Sequence, residues 1–130
     1  MQKRRYFSTN TPSEKRVGYS RAVRSKDGLR LYISGTTSID GKGNTRGNTI
    51  YEQADFVFNK IKNIVAQSGF LEEDIVLLRC YLTDMERIAE FDKASIKHFK
   101  YIKPSCTLIG ISVLIKADLF IEVECIVDKG

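Results

Sequence analysis

The stretch that decides the fold is DLFIEVECIVD, residues 118–128, in which every second side chain is apolar. Strict alternation over this length predicts a β-strand. One face is wholly apolar and consists of Leu119, Ile121, Val123, Cys125 and Val127. The opposite face is half apolar and half acidic and consists of Phe120, Glu122, Glu124 and Ile126. The first face should lie under helices. The second is too apolar for water and too charged for a core, so we expect other copies of the chain to cover it, in a homo-oligomer.

Two amphipathic helices are predicted upstream of this strand. TIYE at 49–52 and TDME at 83–86 are capping boxes, in which a hydroxyl and a carboxylate satisfy the first free backbone amides. Apolar residues then recur at three and four positions, and Gly69 supplies a left-handed stop for the first helix. The second helix must end before Pro104, and we expect His98 on it to be solvated.

The remaining segments alternate like strands. Asp27-Gly28 predicts a hairpin turn in which both residues adopt positive φ. DIVLLRCYLTD, residues 74–84, predicts a strand that buries Val76, Leu78, Cys80 and Leu82. Arg79, on its other face, is a candidate partner for Glu122 or Glu124. With a strand at SCTLIGIS, the order is ββαβαββ, an α+β sandwich with a mixed sheet and two helices on one face.

Composition restricts the class of protein. The 130 residues are 42% hydrophobic and 28% charged, which favours one globular domain over residues 1–130. The three cysteines are far apart and lack metal-ligand spacing, so neither a disulfide framework nor a metal site is expected. A reducing cytoplasm is the simplest location, and no membrane association is expected. The basic, hydroxyl-rich start MQKRRYFSTNTP favours a first strand, with a mitochondrial presequence as the alternative.

Positive charge is concentrated at the start of the chain. Residues 1–30 contain nine Lys or Arg and two acidic residues, a balance of +7, against −2 for the other hundred. Because the basic cluster lacks interleaved stacking aromatics and a nucleic-acid motif, a solvated basic edge is favoured over an RNA-binding surface. The glycine-rich residues 38–48 lack the Gly-Lys-Ser/Thr ending of a phosphate loop and are interpreted as a flexible loop.

Four separated motifs resemble the Rid/YjgF family of reactive-intermediate deaminases. They are VGYSRAV at 17–23, LYISGTT at 31–37, CYLTDMERIAEFD at 80–92, and PSC at 104–106 followed by IEVECIV at 121–127. The resemblance implies a chorismate-mutase-like fold and a homotrimer whose sheets form a central barrel. It also implies a small-molecule cleft between neighbouring subunits. Family members with known activity hydrolyse imines and enamines without a cofactor.

The resemblance also implies which residues form the cleft. The ligand-binding positions are Tyr19, Ser34, Pro104, Ser105, Cys106 and Glu122. Glu122 would position the water. The only histidine is His98, so Cys106 is interpreted as a small cleft-lining thiol rather than a nucleophile.

Pro104 departs from the family pattern, because it stands where the family has an arginine that clamps the substrate carboxylate. Proline has no charge and no donor, and losing such a contact costs about two to three orders of magnitude in turnover. Whether Arg24, Arg79 or Lys103 compensates stays open at this point, although Lys103 would point away if the segment were extended. Two alternatives also stay open: a metabolite-binding protein without catalysis, and an RNA-directed activity.

Overall fold

The last strand of the chain lies inside a six-stranded sheet. The structure, a computed structural model, describes residues 3–130. The strands are β1 Arg5–Phe7, β2 Ala22–Arg24, β3 Arg30–Thr37, β4 Ile75–Leu82, β5 Ser105–Gly110 and β6 Ile121–Asp128. The helices are α1 Pro12–Val17, α2 Ile50–Gln67 and α3 Ile88–Phe99. The sheet order is β1-β2-β3-β6-β4-β5, and β4 and β5 are the parallel pair in an otherwise antiparallel ladder. The α+β class and the mixed sheet are confirmed.

The alternation of β6 produces the two faces that were predicted. The apolar face is buried beneath α2, which packs on β3 and β6, while α3 packs on α2. The opposite residues of β6 are half-buried in the single chain. On that face Arg79 Nη1 lies 3.9 Å from Glu124 Oε2, so Glu124 rather than Glu122 is its partner. Tyr81 donates to the other oxygen of Glu124 at 2.5 Å.

Helix α2 begins and ends as the sequence predicts. The Thr49 hydroxyl accepts a hydrogen bond from the Glu52 amide at 3.1 Å, and Gly69 adopts φ +85° after the last turn.

The second predicted helix begins later than predicted. The Thr83 amide is still bonded to Phe120 O at 3.1 Å beside the sheet, so Asp84 is the cap instead, accepting from the Glu86 amide. A 3₁₀ turn, Met85–Arg87, then precedes α3.

The hairpin is confirmed, but its turn differs from the prediction. The Ser25 amide bonds Arg30 O at 2.9 Å and encloses a four-residue loop. Gly28 alone has positive φ, at 78°, while the carboxylate of Asp27 accepts from the Leu29 amide at 3.0 Å. A longer loop built around a type I turn needs one left-handed residue, and Gly28 supplies it.

Three further predictions were wrong in detail. The short helix α1 makes a third helix; the Thr11 hydroxyl donates to its Glu14, and Gly18 ends it at φ +81°. His98 is buried rather than solvated, because its Nε2 lies 2.7 Å from Asp55 Oδ1 on α2. Val76 is 41% exposed, since the β4–β6 register slips between Ile75 and Leu77 and turns its side chain outward.

Candidate functional site

A bulge in β3 places Ser34 and Gly35 beside β6. The β3–β6 pairing jumps from Ile33–Cys125 to Thr36–Val123, so Ser34 and Gly35 face one residue of β6. A Cβ built on Gly35 would lie 2.6 Å from Glu122 Oε1. The glycine therefore lets the carboxylate of Glu122 cross the strand at a distance that no other residue permits. Bulges of this kind often re-aim side chains next to active sites.

The Glu122 carboxylate lines a cavity of 610 Å³ between α1 and the bulged end of the sheet. Tyr19, Arg21, Lys60 and Lys116 line it too. A cavity of this size accepts a small metabolite. Of the six predicted ligand-binding residues, Tyr19 and Glu122 are brought together here. Ser34 is outside the lining; its hydroxyl donates to Ser20 O at 2.7 Å and thereby ties β3 to the segment ahead of β2.

Arg21 organises this cavity, although the sequence motifs did not single it out. Its Nη1 donates to Gly35 O at 2.8 Å and to Thr36 Oγ1 at 2.9 Å, across the bulge. Its Nη2 donates to the phenolic oxygen of Tyr19 at 2.9 Å. A planar guanidinium with fixed donors thus holds the glycine turn and the tyrosine in one geometry. The phenol accepts from Arg21, so its own proton is free for Ser13 or a ligand.

A buried carboxylate stands behind Arg21. Glu14 Oε2 lies 3.8 Å from Arg21 Nε, and both side chains are almost fully buried. Glu14 accepts hydrogen bonds from Ser8, Thr9 and Thr11. Burial would raise its pKa, but these hydrogen bonds dominate and lower the pKa to about 2. Glu14 is therefore ionised at neutral pH and compensates the buried charge of Arg21.

Two titratable groups in the cavity are shifted toward neutrality. Burial raises the pKa of Glu122, with the charge of Glu124 adding to the effect and that of Arg21 opposing it. Burial, together with the charge of Arg21, lowers the pKa of Lys60 to about 8, and its ammonium group donates to Ile39 O at 3.0 Å. Each group can therefore exchange a proton with a bound ligand more readily than it would at its ordinary pKa.

The other predicted residues lie at a second site. Pro104 and Cys106 line a groove of 320 Å³ with Leu78, Phe99, Lys100 and Lys103, where α3 meets the edge strand β5. Ser105 begins β5 and is exposed outside this groove. Lys103 has φ 52° and is not extended, so the condition under which it would point away from the cleft is not met. It shares the groove with Pro104.

Cys106 is an exposed thiol next to a buried one. Its pKa is lowered to about 7 by its interaction with the neighbouring Cys80 thiol, whereas burial raises the pKa of Cys125 to about 12. His98 is engaged with Asp55 and is not part of the groove, so no Cys–His dyad forms among the residues the structure describes.

The two sites are well separated within one chain. Glu122 pairs with Tyr81 on β4, and Ser105 pairs with Leu77 on the same strand. Leu77 and Tyr81 are four residues apart along β4, which corresponds to about 13 Å at 3.3 Å per residue. A small molecule cannot contact both sites in a single chain. Tyr19 and Glu122 on one side, and Pro104 and Cys106 on the other, are therefore two separate sites, which we name half-sites because the family resemblance predicts a cleft shared between subunits.

Arg24 and Arg79 do not line either half-site. Arg24 is anchored in the hairpin, where it donates to Gly28 O at 3.1 Å and to Ser68 O at 3.2 Å. Arg79 pairs with Glu124. Of the three cations considered as replacements for the missing arginine, only Lys103 lies next to Pro104.

Sequence reasoning missed Arg21, Glu14 and Lys60. TPSE at 11–14 is a capping box with proline at the first helical position, and this signal would have located α1 and Glu14. Arg21 lies two residues after Tyr19 and is therefore on the same face of an extended segment. The sequence alone does not indicate that its guanidinium reaches the bulge in β3. Lys60 lies beside the apolar stripe of α2, and nothing in the sequence distinguishes it from an ordinary surface lysine.

Residues 3–130 contain neither a metal-binding cluster nor a membrane-spanning helix. No group of three or more His, Cys, Asp or Glu side chains is arranged to hold a metal ion, and no helix has the length and apolarity to cross a membrane. A further cavity of 590 Å³ along the outer side of α2 contains none of the predicted ligand-binding residues.

Comparison with known proteins gives consistent results. The family described as Endoribonuclease L-PSP matches residues 9–129. The mitochondrial protein Mmf1 of Saccharomyces cerevisiae is 32% identical over 127 residues, which cover 92% of this chain and 86% of Mmf1. A RutC family protein of Pyrococcus horikoshii is 34% identical over 125 residues, 95% of each chain.

Solved structures show the same fold. A YjgF-family protein from Mycobacterium tuberculosis superimposes with a TM-score of 0.88 at 29% identity, covering 98% of this chain and 100% of that one. The fold, the four motifs and the extent of these matches lead to one conclusion. The chain belongs to the Rid/YjgF family, whose family description is Endoribonuclease L-PSP.

Proposed function

We propose that this protein is a homotrimer that hydrolyses a small imine or enamine in clefts between subunits. One subunit contributes Tyr19, Arg21 and Glu122, and its neighbour contributes the groove of Pro104 and Cys106. The observation that carries the proposal is the separation of these half-sites on the single chain. Two incomplete sites on one chain become a complete cleft if a neighbouring subunit brings them together.

Exposed apolar surface supports an assembly. Ile109, Tyr32, Val113 and Ile115 are 40%, 46%, 77% and 72% exposed in the single chain. All of β5 is exposed or half-exposed, and it lies at the edge of the sheet, where its outer backbone groups have no strand partner within residues 3–130. Soluble proteins cover edges and patches of this kind, and a second and third copy would do so here.

The residues of the larger half-site suit the addition of water to a C=N bond. Glu122, as a carboxylate, takes a proton from water as the oxygen attacks the imine carbon, and delivers that proton to nitrogen. The carbinolamine then collapses: its hydroxyl proton passes through Glu122 to nitrogen, ammonia leaves and a carbonyl forms. The raised pKa of Glu122 helps it both accept and return the proton. Tyr19, held by Arg21, donates to the ligand.

Lys103 is the cation best placed to receive a substrate carboxylate. It is a non-glycine residue at φ 52°, directly before a proline, and both features disfavour this backbone conformation. Strain of this kind is often retained at ligand sites. Its ammonium is a point charge and not a fork, so we expect weaker binding of acidic substrates than an arginine would give.

The test is the hydrolysis of 2-iminopropionate, generated in the cuvette, by wild-type protein and by Glu122→Gln. Wild type should accelerate formation of pyruvate, and Glu122→Gln should lose about 10²-fold or more in kcat/KM. Glu124→Gln is the matched control, since Glu124 lies on the same strand face but outside the cavity, and it should retain activity. Equal decay with wild type and with buffer would refute the catalytic proposal.

Subunit mixing tests the shared cleft. Glu122→Gln disables one half-site, and Pro104→Trp obstructs the other. If each cleft takes one half from each of two chains, random mixing of the two inactive variants should restore about a quarter of the clefts. Mixtures as inactive as their components, after dissociation and reassembly are verified, would show that the cleft is not shared.

A metabolite-binding protein without catalysis is the first alternative. It would show saturable binding of pyruvate, sensitive to changes at Lys103, together with no imine turnover.

An RNA-directed activity is the second alternative, suggested by the family description and by the basic first thirty residues. It requires RNA cleavage that Glu122→Ala abolishes. A cytoplasmic location is likewise a proposal, with the mitochondrion of the relative Mmf1 as the alternative, and fractionation of cells would decide.

A further inference from the structure

A basic cleft lies at the hairpin end of the sheet, on residues that take no part in the proposed function. Its volume is 350 Å³, and Lys3, Arg5, Arg24, Lys26 and Asp27 line it. Four cationic side chains thus share the cleft with one carboxylate. That carboxylate is already occupied, since Asp27 Oδ1 accepts from the Ser25 hydroxyl at 2.6 Å and from the Leu29 amide at 3.0 Å.

The strand register places like charges opposite each other. Arg5 of β1 pairs with Arg24 of β2 at the ends of the two strands, and Lys3 and the hairpin-loop residue Lys26 line the cleft beyond this pair. Side chains directly across an antiparallel pair lie on the same face, and like charges there are destabilising. One such pair with two lysines in the same cleft is unfavourable for the isolated chain. A bound anion would remove the repulsion.

Arg24 is already fixed for this purpose. Its Nε donates to Gly28 O, its Nη1 donates to Ser68 O, and its guanidinium lies 5.1 Å from the centre of the Phe70 ring. Its Nη2 makes no hydrogen bond to any residue in 3–130 and lies beside the open turn at Gly28. A half-buried guanidinium with one free, immobile edge is a preorganised donor for a phosphoryl oxygen.

We propose that this cleft binds a phosphate chain, the di- or triphosphate of a small molecule, between Arg24 and the lysines on either side. Several phosphoryl groups match several closely spaced cations, whereas a single carboxylate would compensate only one. At 350 Å³ the cleft has the size of a small-ligand pocket. Among the described residues, none of those that line the cleft is aromatic, so it offers no stacking surface for the bases of single-stranded RNA, and a small polyphosphate is favoured over a nucleic acid.

Calorimetric titration with inorganic triphosphate, without magnesium, tests the proposal on the full chain. We expect saturable binding that weakens as salt rises, because the contacts are ionic. The double variant Lys3→Gln, Lys26→Gln should bind about tenfold more weakly or worse. The control Lys15→Gln, Lys93→Gln removes the same charge from exposed lysines elsewhere and should bind as wild type does.

Further titrations identify the source of the phosphate chain. ATP binding more tightly than triphosphate assigns the cleft to a nucleotide, and equal affinities assign it to the phosphate chain alone; both support the proposal. Absence of triphosphate binding would overturn it, as would equal affinities of the two double variants. Tight binding of an RNA oligomer with no binding of triphosphate would overturn it in favour of a nucleic acid.

Discussion

Gly35→Ala should disable the proposed imine hydrolysis without unfolding the protein. The new Cβ would lie 2.6 Å from Glu122 Oε1, 3.1 Å from Cδ and 3.4 Å from Cγ, whereas ordinary contacts begin at 3.4 Å. The carboxylate oxygen must therefore move by at least about 0.8 Å. Displacing a catalytic group by about 1 Å typically costs about 10²-fold in rate, and we expect a loss of this size in kcat/KM for 2-iminopropionate.

Stability should change little, because the atom in the way is the end of a side chain that can rotate. An off-rotamer side chain costs about 0.5–1.5 kcal/mol, which sets the expected loss in the free energy of unfolding. Gly41→Ala is the matched control, since nothing lies within 4 Å of its added Cβ. It should leave both activity and stability unchanged.

The reasoning is refuted by either of two results. The first is a Gly35→Ala protein of normal assembly whose kcat/KM lies within about threefold of wild type. The second comes from a double-mutant cycle. On a Glu122→Ala background the clash partner is gone, so adding Gly35→Ala should cost little; a full additional loss would show that the glycine acts by another route.

Three other predictions concern Lys103, Cys106 and Glu14. Lys103→Gly should raise the free energy of unfolding, measured by urea titration, by about 0.5–1 kcal/mol, because glycine adopts positive φ without strain. The same variant should raise KM for 2-iminopropionate about tenfold, whereas Lys103→Arg should preserve KM. A Lys103→Gly protein less stable than wild type would show that the backbone at Lys103 is not strained. Iodoacetamide should alkylate Cys106 before Cys80 and Cys125, and mass spectrometry can follow the reaction. The rate of Cys106 alkylation should have a pH midpoint near 7, and this midpoint should rise in Cys80→Ala. An unchanged midpoint would exclude the interaction between the two thiols. Folding lowers the pKa of Glu14 from 4.5 to about 2, so ionised Glu14 stabilises the folded state by about 3 kcal/mol at any pH above its unfolded-state pKa. The difference in unfolding free energy between wild type and Glu14→Gln should therefore be full at pH 7 and vanish as pH falls toward 2. A difference that does not depend on pH would contradict this role of the Glu14 charge.

Local patterns predicted the elements well where each residue's partner lies nearby in the chain. The Thr49 capping box predicted the start of α2, and the alternation of β6 predicted its buried and half-buried faces. In both cases the deciding contacts are local or depend only on which side of the sheet a residue faces.

The errors arise where a distant contact decides. His98 is buried because Asp55, 43 residues away, accepts its hydrogen bond, and no helical period predicts such a partner. Asp84 replaces Thr83 as cap because the amide of Thr83 is bonded to Phe120 across the sheet. Arg21 is the same case at the candidate site: its place beside Glu122 depends on a bulge in another strand. Motifs located Tyr19 and Glu122, but only the folded chain shows what holds them.

Sedimentation velocity of the purified protein decides whether the cleft can be shared, because a shared cleft requires a multi-chain particle. We expect three copies of the 14.8 kDa chain, a particle of about 44 kDa, at micromolar concentration. A single species of 14.8 kDa under the conditions of the activity assay would rule out a shared cleft. The half-sites of Glu122 and Pro104 would then have no means of meeting.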